Sequence, residues 1–451
     1  MATSERQTII ERTKKERGSN FRQGGPRIAM LYPSPYRAGM SSLGYQWILS
    51  RLQQRGFSVE RVFLPDDLPR WRGPLISYET QTPLSHFPVI GVSLAYELEI
   101  AGLIQALKAS GINPLRENRS DLRIILGGPI TFSNPLPTAP FVDAMILGEA
   151  EEVAGDVFEA AFSEKREEWF QCIRKIPGVF IPELDQTLPP IAKASDMMLP
   201  ARSHIISPDA ELSNMFLIEG ERGCHRSCTF CVMRRSTNGG MRLVSPERVL
   251  SFVPPYAERV GLVGAAISDH PKLPQLLEKI IESGRGVGVS SLRADRIARK
   301  PVVSKLLREG GYKTLTVASD AASGRLRREI SKGTLEKHLF ACAEQASEHK
   351  YRLLKIYMML GLPGETQEDI DELIQFSLEI SKIHPIALGI APFVPKRNTP
   401  MDTASFAGIK VVEKRLKYLE KGLRRSKGRA QVRSTSAKWA WVEYMLAQGG
   451  P

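Results

Sequence analysis

Cys224, Cys228 and Cys231 fall within eight residues in Glu219-Gly-Glu-Arg-Gly-Cys224-His-Arg-Ser-Cys228-Thr-Phe-Cys231, a CxxxCxxC spacing. Three thiolates in one loop can wrap a face of an iron-sulfur cubane, because such clusters are held by cysteine sulfur. A fourth iron is then left open, and an open iron chelates substrate, so this ligand set points to catalysis rather than plain electron transfer. Zinc is the competing metal, with His225 as a nominal fourth ligand, but a residue adjacent to Cys224 is poorly placed to close a tetrahedron with it. The two other cysteines, Cys172 and Cys342, stand alone, and five in 451 residues are no disulfide framework. Cys342 lies in Leu339-Phe340-Ala341-Cys342-Ala343, where a buried structural thiol is expected.

The elements that must position this loop are those of an α/β protein. From Arg27 to about residue 165, short apolar runs alternate with helical stretches, the rhythm of a parallel sheet, with strands expected at 27–32, 59–63, 89–94, 122–126 and 144–147. Each ends in small or polar residues, where an open α/β sheet places its ligand crevice. Pro-rich text between 166 and 210 reads as a surface linker. A second βα series follows, with strands expected at 215–219, 261–267, 286–291, 313–318, 354–360 and 386–391, which suits a partial (β/α)6 barrel. Ser245-Pro246-Glu247 offers an N-cap followed by Pro in the first turn, and Thr366-Gln-Glu-Asp369 is a capping-box pattern. The expected organisation is a basic arm (1–25), a Rossmann-like domain (26–165), the linker (166–210), the barrel (211–400) and a basic helical C-terminal region (401–451).

The cysteine loop and its surroundings resemble the radical SAM superfamily, whose signature CxxxCxΦC carries an aromatic before the last cysteine, matched here by Phe230. The resemblance implies a 4Fe-4S cluster whose open iron binds the amino and carboxylate groups of S-adenosylmethionine (SAM), with reductive cleavage to a 5′-deoxyadenosyl radical. An electron donor such as flavodoxin or ferredoxin is then implied. Val260-Gly-Leu-Val-Gly-Ala-Ala-Ile-Ser268-Asp269 stands where the family has a Gly-Gly-Glu-like motif, so Ser268 and Asp269 would take the SAM amino group. Ser290, Ser291 and Arg293 after the third strand, and Asp320 after the fourth, would meet ribose or the methionyl part; Arg327 and Lys332 are candidates for the SAM carboxylate. Gly361 and Gly364 after the fifth strand would let backbone approach adenine or the sulfonium, and Ile390 and Pro392 on the sixth would complete the adenine pocket.

The first domain resembles the cobalamin-binding domain of class B radical SAM enzymes. The matching pieces are Tyr36, Arg37, Gly39 and Met40 after the first strand, Ser93, Tyr96 and Glu97 after the third, Gly127, Gly128 and Pro129 after the fourth, and Gly148 and Glu149 after the fifth. Gly-Gly would let backbone approach the nucleotide tail, while Tyr36, Arg37 and Met40 would flank the lower face. The DxHxxG loop that gives cobalt a histidine is missing, and residues 1–85 contain no histidine. The resemblance implies a cobalamin-dependent methyltransferase acting on an unactivated carbon of an organic substrate. A radical SAM cyclisation, rearrangement or RNA-modifying reaction without methyl transfer is the alternative, and a non-catalytic cobalamin or SAM sensor that binds nucleic acid is a third.

The formal charge of +13 is concentrated in the N-terminal arm and the last 45 residues, a pattern that fits either a polyanion partner such as nucleic acid or a solvated face. The polar N-terminus lacks a secretion signal and no apolar run nears the ~20 residues that span a bilayer, so a cytoplasmic protein without a membrane partner is expected.

Overall fold

The computed structural model describes residues 2–18, 21–163, 165–233, 240–290 and 292–451. The chain forms two compact units, Met1–Ile218 with Pro254–Ala257 and Gly449–Pro451, and Glu219–Val253 with Glu258–Gln448.

In the first unit, β1 (Arg27–Pro35), β2 (Ser58–Leu64), β3 (Val89–Ser93), β4 (Arg123–Gly127), β5 (Ala144–Ile146) and β6 (Val179–Phe180) make one sheet in the order β2-β1-β3-β4-β5-β6. The first five are parallel, with Ile28 paired to both Val59 and Val89, and β6 closes the edge antiparallel against β5. Apolar runs serve here because a parallel sheet is covered on both faces; β1 buries Ile28 to Tyr32 without alternation. The segment expected to be a Pro-rich surface linker instead supplies a helix (Arg166–Ile173), whose Trp169 and Phe170 are buried, together with β6. The basic arm is likewise an element, α1 (Ala2–Lys15), with Ile9 buried. Just beyond it, Glu16 takes two bonds from the guanidinium of Arg61 at 2.6 and 2.8 Å, and Glu79 takes a third from Arg61 Nε at 2.6 Å. Arg61 is 1% exposed, so this triad is a buried charge network.

β7 (Met215–Glu219) carries the chain into the second unit. There β8 (Glu221–Gly223) and β9 (Met241–Leu243) pair antiparallel on either side of the cysteine loop. β10 (Arg259–Val263) pairs in parallel with β11 (Gly286–Val289). A five-stranded parallel sheet then runs β12 (Leu292–Arg293), β13 (Thr314–Ala318), β14 (Leu353–Leu360), β15 (Ile386–Pro392) and β16 (Ala430–Ser434). The strands expected between 215 and 391 are thus present, although the second ends at Val263 rather than at 267 and the third breaks after Val289; Ser291 lies outside the described residues. The helices expected from caps form as read: the Ser245 side chain accepts from Arg248 N, and Thr366 with Asp369 closes a capping box.

The C-terminal region is more than a helical tail. A helix, Ile409–Leu423, is followed by β16, which extends the parallel sheet beyond β15, and then by a second helix, Ala437–Gln448. No described helix is long and apolar enough to cross a membrane.

Candidate active site

Parallel strands put their C-terminal ends on one rim, and the cysteine loop is tied to that rim in the second unit. Thr229 N donates to Ile330 O at 3.1 Å, beyond β13, and its hydroxyl lies 3.2 Å from Met401 Sδ, beyond β15. Cys231 N donates to Cys228 O (3.3 Å), a turn that folds the loop back on itself. Cys228 is buried and Cys224 and Cys231 half-buried. Burial pushes the thiols of Cys224 and Cys231 up, and the neighbouring cysteine charges push in the same direction. Bound iron offsets that cost, since a coordinated thiol is deprotonated. Among the described residues no group of ligands converges on a single ion. His225 faces Asp269 (Nε2 to Oδ2, 3.7 Å), an arrangement that suits cysteines serving separate irons better than a zinc tetrahedron.

Asp269 and Ser268 lie in a single 3-10 turn after β10, and both are occupied by arginines. The Asp269 carboxylate receives Arg226 through a bidentate pair (2.9 and 3.0 Å) and Arg296 Nε through a third bond, with Arg293 Nε at 3.9 Å. Burial alone would raise the Asp269 carboxyl, but these guanidiniums outweigh it and hold it below its ordinary range. Ser268 Oγ accepts from Arg293 N at 3.2 Å. Because Arg226 sits between Cys224 and Cys228, Asp269 is an anchor for the cysteine loop; its oxygens are already filled. Ser290 Oγ donates to Gly264 O (3.0 Å), linking the ends of β11 and β10.

The other candidates divide similarly. Lys332 is taken by an ion pair with Asp320, which adopts a left-handed φ of 62°. Arg293 donates to Lys332 O at 3.3 Å and pairs with Asp295 at 3.0 Å. Arg327 differs: it is 2% exposed, its contacts to Ser319, Ala321 and Glu336 run from 3.4 to 3.6 Å, and Nε and Nη2 have no hydrogen-bond partner. Desolvation lowers its pKa, so an incoming carboxylate would relieve a real cost. Gly361, at φ 85°, donates to Glu365 Oε1, which Arg415 also holds at 2.9 Å. Gly364 has open space where a side chain would stand, whereas Ile390 and Pro392 are buried in β15. Phe230 is half-buried beside Cys231.

Glu221 was not foreseen. Three residues before Cys224, it is fully buried, accepts from Ala266 N at 2.6 Å through Oε1, and leaves Oε2 without a partner. Burial raises its carboxyl to about 7. Gly264 is required there, since a Cβ would stand 2.3 Å from Glu221 Oε1. The doublet Glu219-Gly-Glu221 next to the cysteines is the available sequence signal, but its burial is a property of the fold.

In the first unit, Ser93 and Gly127 are the last residues of β3 and β4, and Tyr96, Gly128 and Gly148 follow strand ends. Tyr96 is exposed, and a Cβ on Gly127 would meet nothing nearer than 3.9 Å, so that edge is not closed by side-chain packing at Gly127. Gly128 is tighter, at φ 107° against Leu94 O, and leads into a 3-10 turn starting at Pro129. Glu149 accepts from Ala194 N (2.8 Å), and Glu97 is buried. Tyr36 and Met40, read with Arg37 as flanking the lower face of cobalamin, are instead drawn into the core, as is Gly39 between them. The Tyr36 hydroxyl bonds Glu16 (2.6 Å) and Ser207 (2.8 Å), Gly39 abuts Phe63, and Met40 Sδ lies 3.4 Å from Arg61. Arg37 is at the surface, 3.8 Å from Glu211. The strand-end edge is open at Gly127, whereas the buried Tyr36 and Met40 offer cobalt no ligand.

Family models match both units: "Radical SAM proteins, N-terminal" over residues 44–182 and "Radical SAM superfamily" over residues 218–377. The chain belongs to the radical SAM superfamily. It is 27% identical over 412 residues to the uncharacterized protein MJ0966 of Methanocaldococcus jannaschii, covering 88% of this chain and 83% of that one. An uncharacterized methyltransferase of Pyrococcus horikoshii, PH0819, is 23% identical over 57% of this chain and 58% of its own length. The fold is similar to that of the radical SAM methyltransferase TsrM from Kitasatospora setae (TM-score 0.58, 13% identity, 86% of this chain and 76% of that one). It is also similar to the cobalamin-dependent SAM radical enzyme OxsB (TM-score 0.53, 14% identity, 89% of this chain and 56% of that one). For a radical SAM protein, Cys224, Cys228 and Cys231 are the residues that would hold a 4Fe-4S cluster.

Proposed function

We propose that the chain is a cobalamin-dependent radical SAM methyltransferase acting on an unactivated carbon. The observation that carries the reading is the cysteine loop, set at the rim of a parallel sheet and braced through Arg226 by the buried Asp269. When bound, the cluster and cobalamin supply the electron for SAM cleavage and the methyl group for transfer. The protein's own part is positional. Arg327, buried with Nε and Nη2 free of hydrogen bonds and only a long 3.6 Å ion pair to Glu336, takes the SAM carboxylate; Gly364 leaves space for backbone approach; the Asp320–Lys332 pair, neutral overall, borders the site without competing for that anion. Tyr96 and Gly127 border the edge where a cobalamin tail fits, an assignment supported by the fold shared with TsrM and OxsB.

Anaerobic reconstitution with iron and sulfide, followed by dithionite and SAM, should give 5′-deoxyadenosine and a reduced-cluster EPR signal. Loss of both in a triple Cys→Ala variant is expected. Zinc in the anaerobically purified protein, or colour and turnover unchanged by that variant, would overturn the proposal. Uptake of hydroxocobalamin, read from the absorption spectrum, tests the methyl-transfer part alone. The burial of Tyr36 and Met40 favours a second reading, a radical SAM reaction without methyl transfer, should uptake fail.

A further inference from the structure

The C-terminal elements are unused by the site as described, yet they sit on its rim. β16 runs parallel to β15, Ile390 facing Ser434, so its C-terminal end points the same way as the strand ends bearing the catalytic loops. The Ala437–Gln448 helix follows at once and is seated on the turn after β15: Lys396 Nζ meets Glu443 at 2.6 Å, and the Gln448 amide donates to Pro395 O at 2.9 Å. From this seated helix two tryptophans face solvent, Trp439 at 61% and Trp441 at 44% exposure. Large aromatics are seldom left so open without a partner. Arg433 and Lys438, both exposed, flank them.

The helix before β16, Ile409–Leu423, is two-faced with unusual regularity. Val412, Leu416, Leu419 and Leu423 are buried, and Lys410, Lys414, Lys417 and Lys421 form an exposed row at the same 4-3-4 spacing. None of the four lysines makes an ion pair within the described residues, and the row continues into exposed Arg424 and Arg425. A line of lysines without ion pairs, interrupted by Glu413 and Glu420, on one helix, with open aromatic rings on the helix that follows β16, offers what a single-stranded polynucleotide needs: phosphates along the charges and bases on the rings. An anionic membrane is the poorer fit, since a helix binds a bilayer through its apolar face, and here that face is already buried.

We propose that this surface docks single-stranded or looped RNA and presents it to the catalytic rim, which makes RNA the substrate class. The inference deepens the radical SAM reading and rests on it for the chemistry, but the docking itself does not require a loaded site. Fluorescence anisotropy of a fluorescein-labelled 15-nucleotide oligouridylate, titrated with the full-length, cluster-free chain in 50 mM KCl, should give a dissociation constant of roughly 1–100 μM. The slope of log K against log salt should be about −3, as for about four neutralised phosphates. Charge reversal of the four lysines to Glu should weaken binding at least tenfold and flatten the slope. Trp439→Ala and Trp441→Ala should each cost about tenfold and leave the slope alone. The lysine-to-Gln quadruple replaces the Glu variant if circular dichroism shows that the latter does not fold.

No binding at 50 mM KCl, variants that bind like the parent, or binding to phosphatidylserine vesicles without binding to oligouridylate would each overturn the proposal. Failure to form 5′-deoxyadenosine alongside intact RNA binding would instead count against the catalytic reading alone.

Discussion

Asp269 gathers three guanidiniums around one buried carboxylate, and one of them belongs to the cysteine loop itself. Outer-shell partners of this kind typically govern 10–100-fold in metal affinity, because they fix the direction in which ligands point. Asp269→Asn should therefore lower bound iron and sulfide per chain and broaden the reduced-cluster EPR signal while SAM binding, measured separately, is less affected. If iron content and spectrum match the parent protein, the anchor role is wrong and Asp269 returns as a direct SAM contact. Glu221 supports a second prediction at this scale. Its folded pKa of about 7 lies above the ordinary carboxylate value, so the folded state holds its proton longer than the unfolded state. The associated stabilisation is complete below the unfolded pKa and is lost as pH rises through 7. Over that span cluster-free protein should lose on the order of 3 kcal/mol from this group. Urea midpoints between pH 5 and 8 test it, with Glu221→Gln flattening the curve; an equal slope in both proteins would remove Glu221 as the titrating group.

The elements make their own test through Arg61, which joins the end of the N-terminal helix to β2 by holding Glu16 and Glu79 in a buried network. Removing one partner of such a network strands the others, and Arg61→Met should cost about 3–5 kcal/mol, read as a shift in denaturant midpoint. A loss under 1 kcal/mol would mean that the carboxylates reach water or a proton without it. This network also marks where sequence stops being legible. Most strands were readable because a covered parallel strand must be continuously apolar, as in Arg27–Pro35 and Leu353–Leu360, and the caps at Ser245 and Thr366 are local chemistry. β16 was not readable: Ala-Gln-Val-Arg-Ser is short, mostly exposed and held by register with β15 rather than by pattern. The arm looked like a charge run because Ile9 and Glu16 are its few inward residues. At the site, the cysteines announced themselves by spacing, whereas the occupation of Asp269 by Arg226 and of Ser268 by the Arg293 backbone depends on segments meeting across 43 and 25 residues of chain, and that of Lys332 on the turn that brings Asp320 to it.

At the scale of the whole molecule, parallel strands need both faces covered, and for the five-stranded sheet of the second unit the last cover comes from the C-terminal region. β16 pairs with β15 along five residues, and the helix before it buries Val412, Leu416, Leu419 and Leu423. Gly422 allows that helix to press close, since a Cβ there would stand 2.6 Å from Ile374. At ~1.5–3 kcal/mol for each buried aliphatic side chain, these four alone approach the ~5–15 kcal/mol by which a domain is normally stable. A chain ending at Thr403 would also expose the backbone edge of β15, a template for pairing with other chains. Such a truncation should express mainly as aggregate, or as a soluble species with a melting temperature at least 10 °C lower, seen by size-exclusion chromatography and circular dichroism. A monomer melting within 2 °C of the parent would show that the region is an appendage, and the rim surface carrying Trp439 and Trp441 would lose its claim to a fixed position beside the site.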